Sequence, residues 1–337
     1  MENKGKQNRG RMKAVFAILL SLCLLSGCAK REAVVKQENK PYIAVITKST
    51  SSNFFKTLYS GASTASIEYN VNVTLEGPDN EEDYEAQNRL LEQAIENNAK
   101  AIVLSAIDYN KSVDIVERAV DAGIYVVAVD SDINTDKISV YIGTDNYEAG
   151  REAGEALLKT PGELNLGLIN FAENSRNGQE RERGVMDVIE ENPRIHVVAD
   201  INVDSNIPDT SDGTKAMLAE HPQINAIVTF NEWTTLGVGS AVSELGLGEQ
   251  ITVVGFDNNI ISVGLLETGE MDALIVQNPY AMGYLGVEAA WNLINGRTPE
   301  KTIRTETMTA TQENMFDTAS QKLIFPFYLP FFVIFRQ

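Results

Sequence analysis

Two segments of this chain end alike. Residues 126–130 read VVAVD and residues 253–257 read VVGFD, so an apolar run is closed by Asp130 in one and by Asp257 in the other. AIVTF (226–230) is followed by Asn231, ALIV (273–276) by Gln277, and SVYIGT (139–144) by Asp145 and Asn146. Each of these side chains is planar and offers two polar atoms, a spacing suited to gripping neighbouring hydroxyls of a small molecule. Apolar runs of this length read as strands buried on both faces, and open α/β sheets take ligands just outside the carboxyl ends of their strands. For one such residue, capping the next helix is a sufficient explanation. For five strand ends drawn from both halves of the chain, one shared crevice is the better account.

The elements that must position these residues alternate regularly. Strands are predicted over 42–47, 70–76, 101–106, 124–130, 139–144, 164–170, 196–202, 226–230, 251–257 and 273–277. Between them the period changes to that of amphipathic helices, over 55–69, 82–97, 111–122, 147–159, 179–191, 212–220, 235–245, 260–268 and 280–295. Strand–helix alternation with continuously apolar strands implies an α/β fold with parallel sheets covered on both faces. Ten strands are too many for one small sheet, so two lobes are expected. The acidic run at 79–83 is read as the lead-in and cap of the 82–97 helix, and Asp132 as a solvated loop charge.

Composition narrows the function. The 337 residues carry 28 Lys+Arg against 47 Asp+Glu, a formal charge of −19, which argues against nucleic acid as a partner. Two cysteines cannot build a disulfide scaffold, and His196 and His221 lack metal-ligand spacing, so no metal and no cofactor are expected. Gly237-Val238-Gly239 lacks the third glycine of a dinucleotide fingerprint, and no GxxxxGK[ST] phosphate loop is present. The charge is uneven. Residues 1–13 hold five basic side chains and one acidic one, an apolar run follows at 14–25, and Leu25-Ser26-Gly27-Cys28 comes next. That order reads as a secretory signal over 1–27 whose LSGC resembles a lipobox, with Cys28 lipidated and residues 28–40 as a tether. Removing 1–27 takes away those five basic groups and the one acidic group. It leaves 23 Lys+Arg against 46 Asp+Glu, a net −23.

At this point the sequence resembles the type I periplasmic sugar-binding proteins of the ribose-binding branch, from about residue 42 to 316. The segments that carry the resemblance are SNFF (52–55), VVAVDSD (126–132), TDNYEAG (144–150), RERG (181–184), FNE (230–232), VVGFD (253–257) and VQNPYAMG (276–283). The resemblance implies two Rossmann-like lobes joined by a three-strand hinge: 41–144 with 278–306, and 145–277 with 307–325. It implies that Phe54 and Phe55 cover a sugar face, and that Asp130, Asn146, Arg181, Asn231, Asp257 and Gln277 hold its hydroxyls. Ser52 and Ser131 stand where the ribose binders have asparagine and arginine. A second-lobe phenylalanine of that branch falls near residues 202–204, where no aromatic stands. Trp233 is the candidate for the missing ring face. These departures argue against ribose itself.

The implied function is a lipid-anchored solute-binding protein that delivers a sugar to an ABC permease from the outer face of the cytoplasmic membrane or the periplasm, as a monomer. A sensory protein presenting the same closed form to a chemoreceptor or kinase would use the same cleft. A repressor of related core would need a helix-turn-helix where the export signal stands. Asp130 and Asp257 could form a glycosidase pair, but carboxylates facing a sugar are needed for binding alone, so no enzyme is expected. The apolar stretch 323–335, broken by Pro326 and Pro330, is too short to span a bilayer, and the tail 326–337 is assigned no role.

Overall fold

The structure, a computed structural model, describes residues 40–190 and 192–325. The signal, Cys28 and all but the last residue of the tether lie outside the described residues, as does the tail 326–337. Among the described residues the first sheet has the order β11-β5-β4-β3-β1-β2. Its strands are β1 (Tyr42–Ile46), β2 (Asn72–Glu76), β3 (Ala101–Leu104), β4 (Tyr125–Val129), β5 (Val140–Gly143) and β11 (Thr302–Arg304). The second sheet has the order β12-β10-β9-β8-β6-β7. It contains β6 (Leu164–Phe171), β7 (Ile195–Val203), β8 (Ala226–Thr229), β9 (Thr252–Phe256), β10 (Ala273–Val276) and β12 (Met308–Ala310). The chain passes between the sheets three times, after β5, after β10 and between β11 and β12.

The continuous apolar strands follow from helices on both faces. In β1, Ile43 and Val45 enter one core and Ala44 and Ile46 the core on the opposite face. In β8, Ala226 and Val228 face one core and Ile227 the other. Pairing is parallel throughout except for β12, which runs antiparallel to β10. That reversal departs from the all-parallel expectation. A three-residue strand at a sheet edge is reached by a short connection from β11 and has no crossover helix to set its direction.

Helix boundaries moved where caps decide them. The first-sheet helices are α1 (Asn53–Glu68), α2 (Tyr84–Glu96), α3 (Val113–Asp121) and α9 (Pro279–Ile294); the second-sheet helices are α4 (Asn146–Lys159), α5 (Arg176–Ile189), α6 (Ile207–Glu220), α7 (Glu232–Leu245), α8 (Ile260–Thr268) and α10 (Thr318–Ile324). Helix α6 begins five residues before its predicted start because Asn206 caps it, its side chain accepting from the Asp209 amide, with Pro208 in the first turn. Helix α7 begins at Glu232 because Asn231 and Thr234 form a capping box. Leu323 and Ile324, the start of the apolar C-terminal stretch, are buried in the second-sheet core.

Two helix pairs approach closely. A Cβ on Gly283 would stand 1.9 Å from the Leu58 carbonyl oxygen, and one on Gly184 2.1 Å from that of Tyr147. Glycine is required at both places. The first pair, α1 with α9, stands behind Phe54 and Phe55. The second, α4 with α5, sets the height of Arg181.

Candidate functional site

Asp130 and Asp257 are the first residues past β4 and β9, and both adopt left-handed backbone, with φ of 60° and 71°. Aspartate tolerates this region better than bulkier residues, and such strain is held where the fold over-determines it. Neither residue caps a helix. The turn instead places each carboxylate in the lining of the cavity between the sheets. Asp130 accepts from the Ser105 hydroxyl at 2.8 Å and from the Asn177 amide at 3.4 Å, with the Lys48 ammonium at 3.9 Å. Asp257 accepts from Gln277 Nε2 at 2.8 Å.

Arg181, 1 % exposed, is the hub of the hinge side. Its Nε donates to Asn146 Oδ1 at 2.9 Å, Nη1 to the Phe230 carbonyl at 2.7 Å, and Nη2 to Gln277 Oε1 at 2.9 Å. Its guanidinium also lies 4.7 Å from the Phe256 ring centre, a cation–π contact. Asn231 does both things its sequence position allowed. It caps α7, and its side-chain amide donates to the Ser205 hydroxyl at 2.7 Å and to Glu81 at 3.4 Å.

Phe54, Phe55, Asp130, Arg181, Asn231, Asp257, Gln277 and Ser52 therefore line one cavity between the two sheets. Asn146 is held behind it by Arg181. Ser131 is buried with its amide turned to the Val129 carbonyl and does not line the cavity. Trp233 does not line it either; its indole N–H donates to Glu81 Oε1 at 3.1 Å, across the lobes. The ring that the second lobe does contribute is Phe171, at the end of β6, with the Lys48 ammonium 5.7 Å from its centre.

Sequence reasoning missed Lys48, Glu81, Asn177, Phe171 and Glu232. Glu81 belongs to the acidic run read as a helix lead-in. Asp83 does cap α2, but Glu81 is 7 % exposed and faces the cleft. Glu232 accepts from the Ser52 hydroxyl at 2.5 Å, the Asn53 and Phe54 amides at 3.3 and 3.2 Å, and Asn259 at 2.6 Å. It thus receives the amino end of α1 from the other lobe. Asp132 is half-buried rather than solvated, and burial raises its carboxyl above the usual range. The one signal in the sequence for these groups was FNE, where a carboxylate directly follows a strand-end asparagine.

Burial raises Glu81 and Asp257 to about 7 each; nearby Lys48 and Arg181 respectively offset part of that rise. Burial also lowers Lys48, against the pull of Asp130. The space left among the cavity side chains is about 20 Å³, room for about one water. An outer chamber of about 340 Å³ shares Phe54, Glu232 and Asp257 with it and opens outward past Ile260 and Ile324.

Residues 43–298 match the periplasmic binding protein domain family. The chain belongs to that family. Among relatives of this periplasmic binding protein, the D-ribose/D-allose-binding protein of Pseudomonas aeruginosa is 31% identical over 297 residues, covering 84% of this chain and 92% of the relative. The ribose import binding protein of Bacillus subtilis is 25% identical, covering 89% and 99%. Among solved structures, a carbohydrate transporter solute-binding protein from Agrobacterium radiobacter in complex with D-arabinose superposes with a TM-score of 0.82 at 26% identity, covering 85% of this chain and 99% of that one. These relatives are binding proteins, not enzymes. The two-sheet architecture of this periplasmic binding protein is that of its structural neighbours.

Proposed function

We propose that this chain is the solute-capture component of an ABC sugar importer: an extracytoplasmic, monomeric binding protein, lipid-anchored through Cys28, that takes a monosaccharide between its lobes. The lobes are 41–144 with 278–306, and 145–277 with 307–325. The observation that carries the reading is the make-up of the cleft. Planar polar side chains from both lobes, Asp130, Asn231, Asp257, Gln277 and Arg181, surround a space flanked by the rings of Phe54, Phe55 and Phe171. Aromatic rings suit the apolar faces of a sugar and paired polar atoms its hydroxyls. The relatives' names, for ribose and allose, and the arabinose complex support the same class.

In this closed form the cleft groups are engaged with one another across the lobes. A sugar enters as the lobes part, replaces those bonds, and holds both halves. Taking the lobes from mostly open to mostly closed needs about 5.5 kcal/mol of differential binding. A few hydrogen bonds to charged groups, each worth about 1.5–3 kcal/mol, supply that. The closed form then docks on the permease.

A thermal-shift screen of pentoses and hexoses tests the reading, because a cleft ligand raises the melting temperature by mass action. At least one sugar is expected to do so; flat curves across the panel would remove the sugar assignment. Anchoring is tested separately by fatty-acid labelling in a bacterial host. Label on the wild type and none on Cys28→Ser is expected, and equal membrane retention of both would refute the anchor.

A further inference from the structure

The cleft's charges do not balance. Each lobe supplies one cation and two carboxylates: Lys48, Glu81 and Asp130 from the first, Arg181, Glu232 and Asp257 from the second. All six are at most 7 % exposed. Only one buried ion pair joins them, Lys48 with Asp130 at 3.9 Å. The hydrogen bonds of Arg181 go to neutral acceptors, Asn146, Gln277 and a backbone carbonyl. Glu232 is satisfied by neutral donors. Glu81 receives only two weak neutral bonds besides the Trp233 indole, and Asp257 only the Gln277 amide. Three of the four carboxylates, Glu81, Glu232 and Asp257, are buried without a cation within 4 Å, which is costly unless a proton or a positive group meets them.

We propose that the solute of this cleft carries a positive charge, as an amino sugar or a similar polyhydroxylated amine whose ammonium group meets the Asp257–Glu232 side of the cleft. The inference rests on the sugar-binding reading and specifies its substrate class. Asp257 and Glu232 are the two carboxylates that line both the inner cavity and the outer chamber, so they border the larger space that a ligand would fill. Lys56 also lines the outer chamber, but its ammonium is exposed and donates to the Ser51 carbonyl at 2.8 Å, away from the carboxylates. Among the described residues, no three acidic, histidine or cysteine side chains gather closely enough to hold a metal ion. Burial raises the pKa of both Asp257 and Glu81 even with Arg181 and Lys48 nearby, so a cation brought closer would stabilise their charged forms.

Titration calorimetry would compare D-glucosamine, D-galactosamine and D-mannosamine with glucose, galactose, mannose and the N-acetylated forms, which keep the substituent and lose the charge. Putrescine serves as an amine without hydroxyls. At about pH 7, at least one amino sugar is expected to bind about tenfold or more tightly than both its neutral parent and its N-acetyl form. Asp257→Asn, whose side chain tolerates the left-handed backbone, is expected to bring the three within about twofold, and Glu232→Gln to narrow the gap as well. Neutral sugars bound as tightly as their amines would overturn the inference and leave sugar binding standing. Putrescine bound with no sugar of either kind would overturn the sugar reading and, with it, the polyhydroxylated amine, leaving only a cationic ligand. Silence from every compound would overturn both.

Discussion

Arg181 and Asp257 are where single side chains carry the most. Arg181 joins α5 to the hinge through Asn146 and Gln277 and to β8 through the Phe230 carbonyl, so its removal leaves three buried acceptors short of a donor. Arg181→Ala is expected to weaken sugar binding by at least about 2 kcal/mol while the protein stays folded, read by calorimetry and circular dichroism. Wild-type affinity in that variant would remove Arg181 from the site. The two raised carboxylates make a pH prediction. Glu81 and Asp257 sit near 7 in the folded protein, against 4.5 and 3.8 ordinarily. The native state therefore binds more protons than the unfolded chain between roughly pH 4 and pH 7. The stability this gives is full below that window and is lost as pH rises through about 7. Glu82, next to Glu81, keeps an exposed side chain, but partial desolvation of its carboxylate, which accepts from the Ser205 amide at 2.9 Å, shifts it in the same direction. The ligand-free melting temperature is expected to fall from about pH 5 to about pH 7.5, with a shallower slope in Glu81→Gln. A melting temperature that climbs over that range in the wild type would show that these groups ionise freely when folded.

At the scale of elements, glycines decide how high the site residues stand. Gly184 lies one turn after Arg181 on α5, against the Tyr147 carbonyl of α4. A methyl group there must push the helices apart, at about 1–3 kcal/mol, and Arg181 moves with α5. Gly184→Ala is expected to lower the melting temperature and to weaken sugar binding together; lost stability with intact affinity would mean that α5 can shift without moving its arginine. Two close-contact glycines explain why RERG and TDNYEAG were informative as sequence: Gly184 stands one turn from Arg181, and Gly150, where a Cβ would lie 2.0 Å from the Arg181 carbonyl oxygen, stands one turn from Asn146. β1, β3, β4 and β10 were the most legible strands, because four or five consecutive apolar residues have few other uses. Three-residue β11 and β12 and the short α10 were not, since so few residues carry no period. Within the site, residues at strand ends were legible because the fold class fixes where strand ends point. Lys48, Glu81 and Glu232 were not. A charged side chain in a loop or a first helical turn reads as solvated or capping until the opposite lobe is in place to bury it. Phe171 was hidden as the last apolar residue of an apolar strand.

For the whole molecule, the unit of function is the pair of lobes, and the groups that hold them together in this closed form are the groups a ligand must engage. Glu81 of the first lobe meets Ser205, Asn231 and Trp233 of the second, and Glu232 of the second meets Ser52 and two amides of the first. Lys48 reaches across to Ser175 and Asn177. The lobes cannot part without breaking the Trp233–Glu81 bond, so this tryptophan reports on closure from inside the mechanism. The chain has two tryptophans. The other, Trp291 on α9, packs against Tyr69 and Arg297 within the first lobe, so rigid-body opening leaves its surroundings as they are. Intrinsic fluorescence is therefore expected to change when a sugar shifts the population toward the closed form, by the differential affinity for the two states. The change should persist in Trp291→Phe and vanish in Trp233→Phe, while calorimetry shows both variants still binding, since Trp233 lies outside the cavity lining. A signal carried by Trp291 would mean that the first lobe deforms internally on binding, and the hinged closure argued from the cleft would fail.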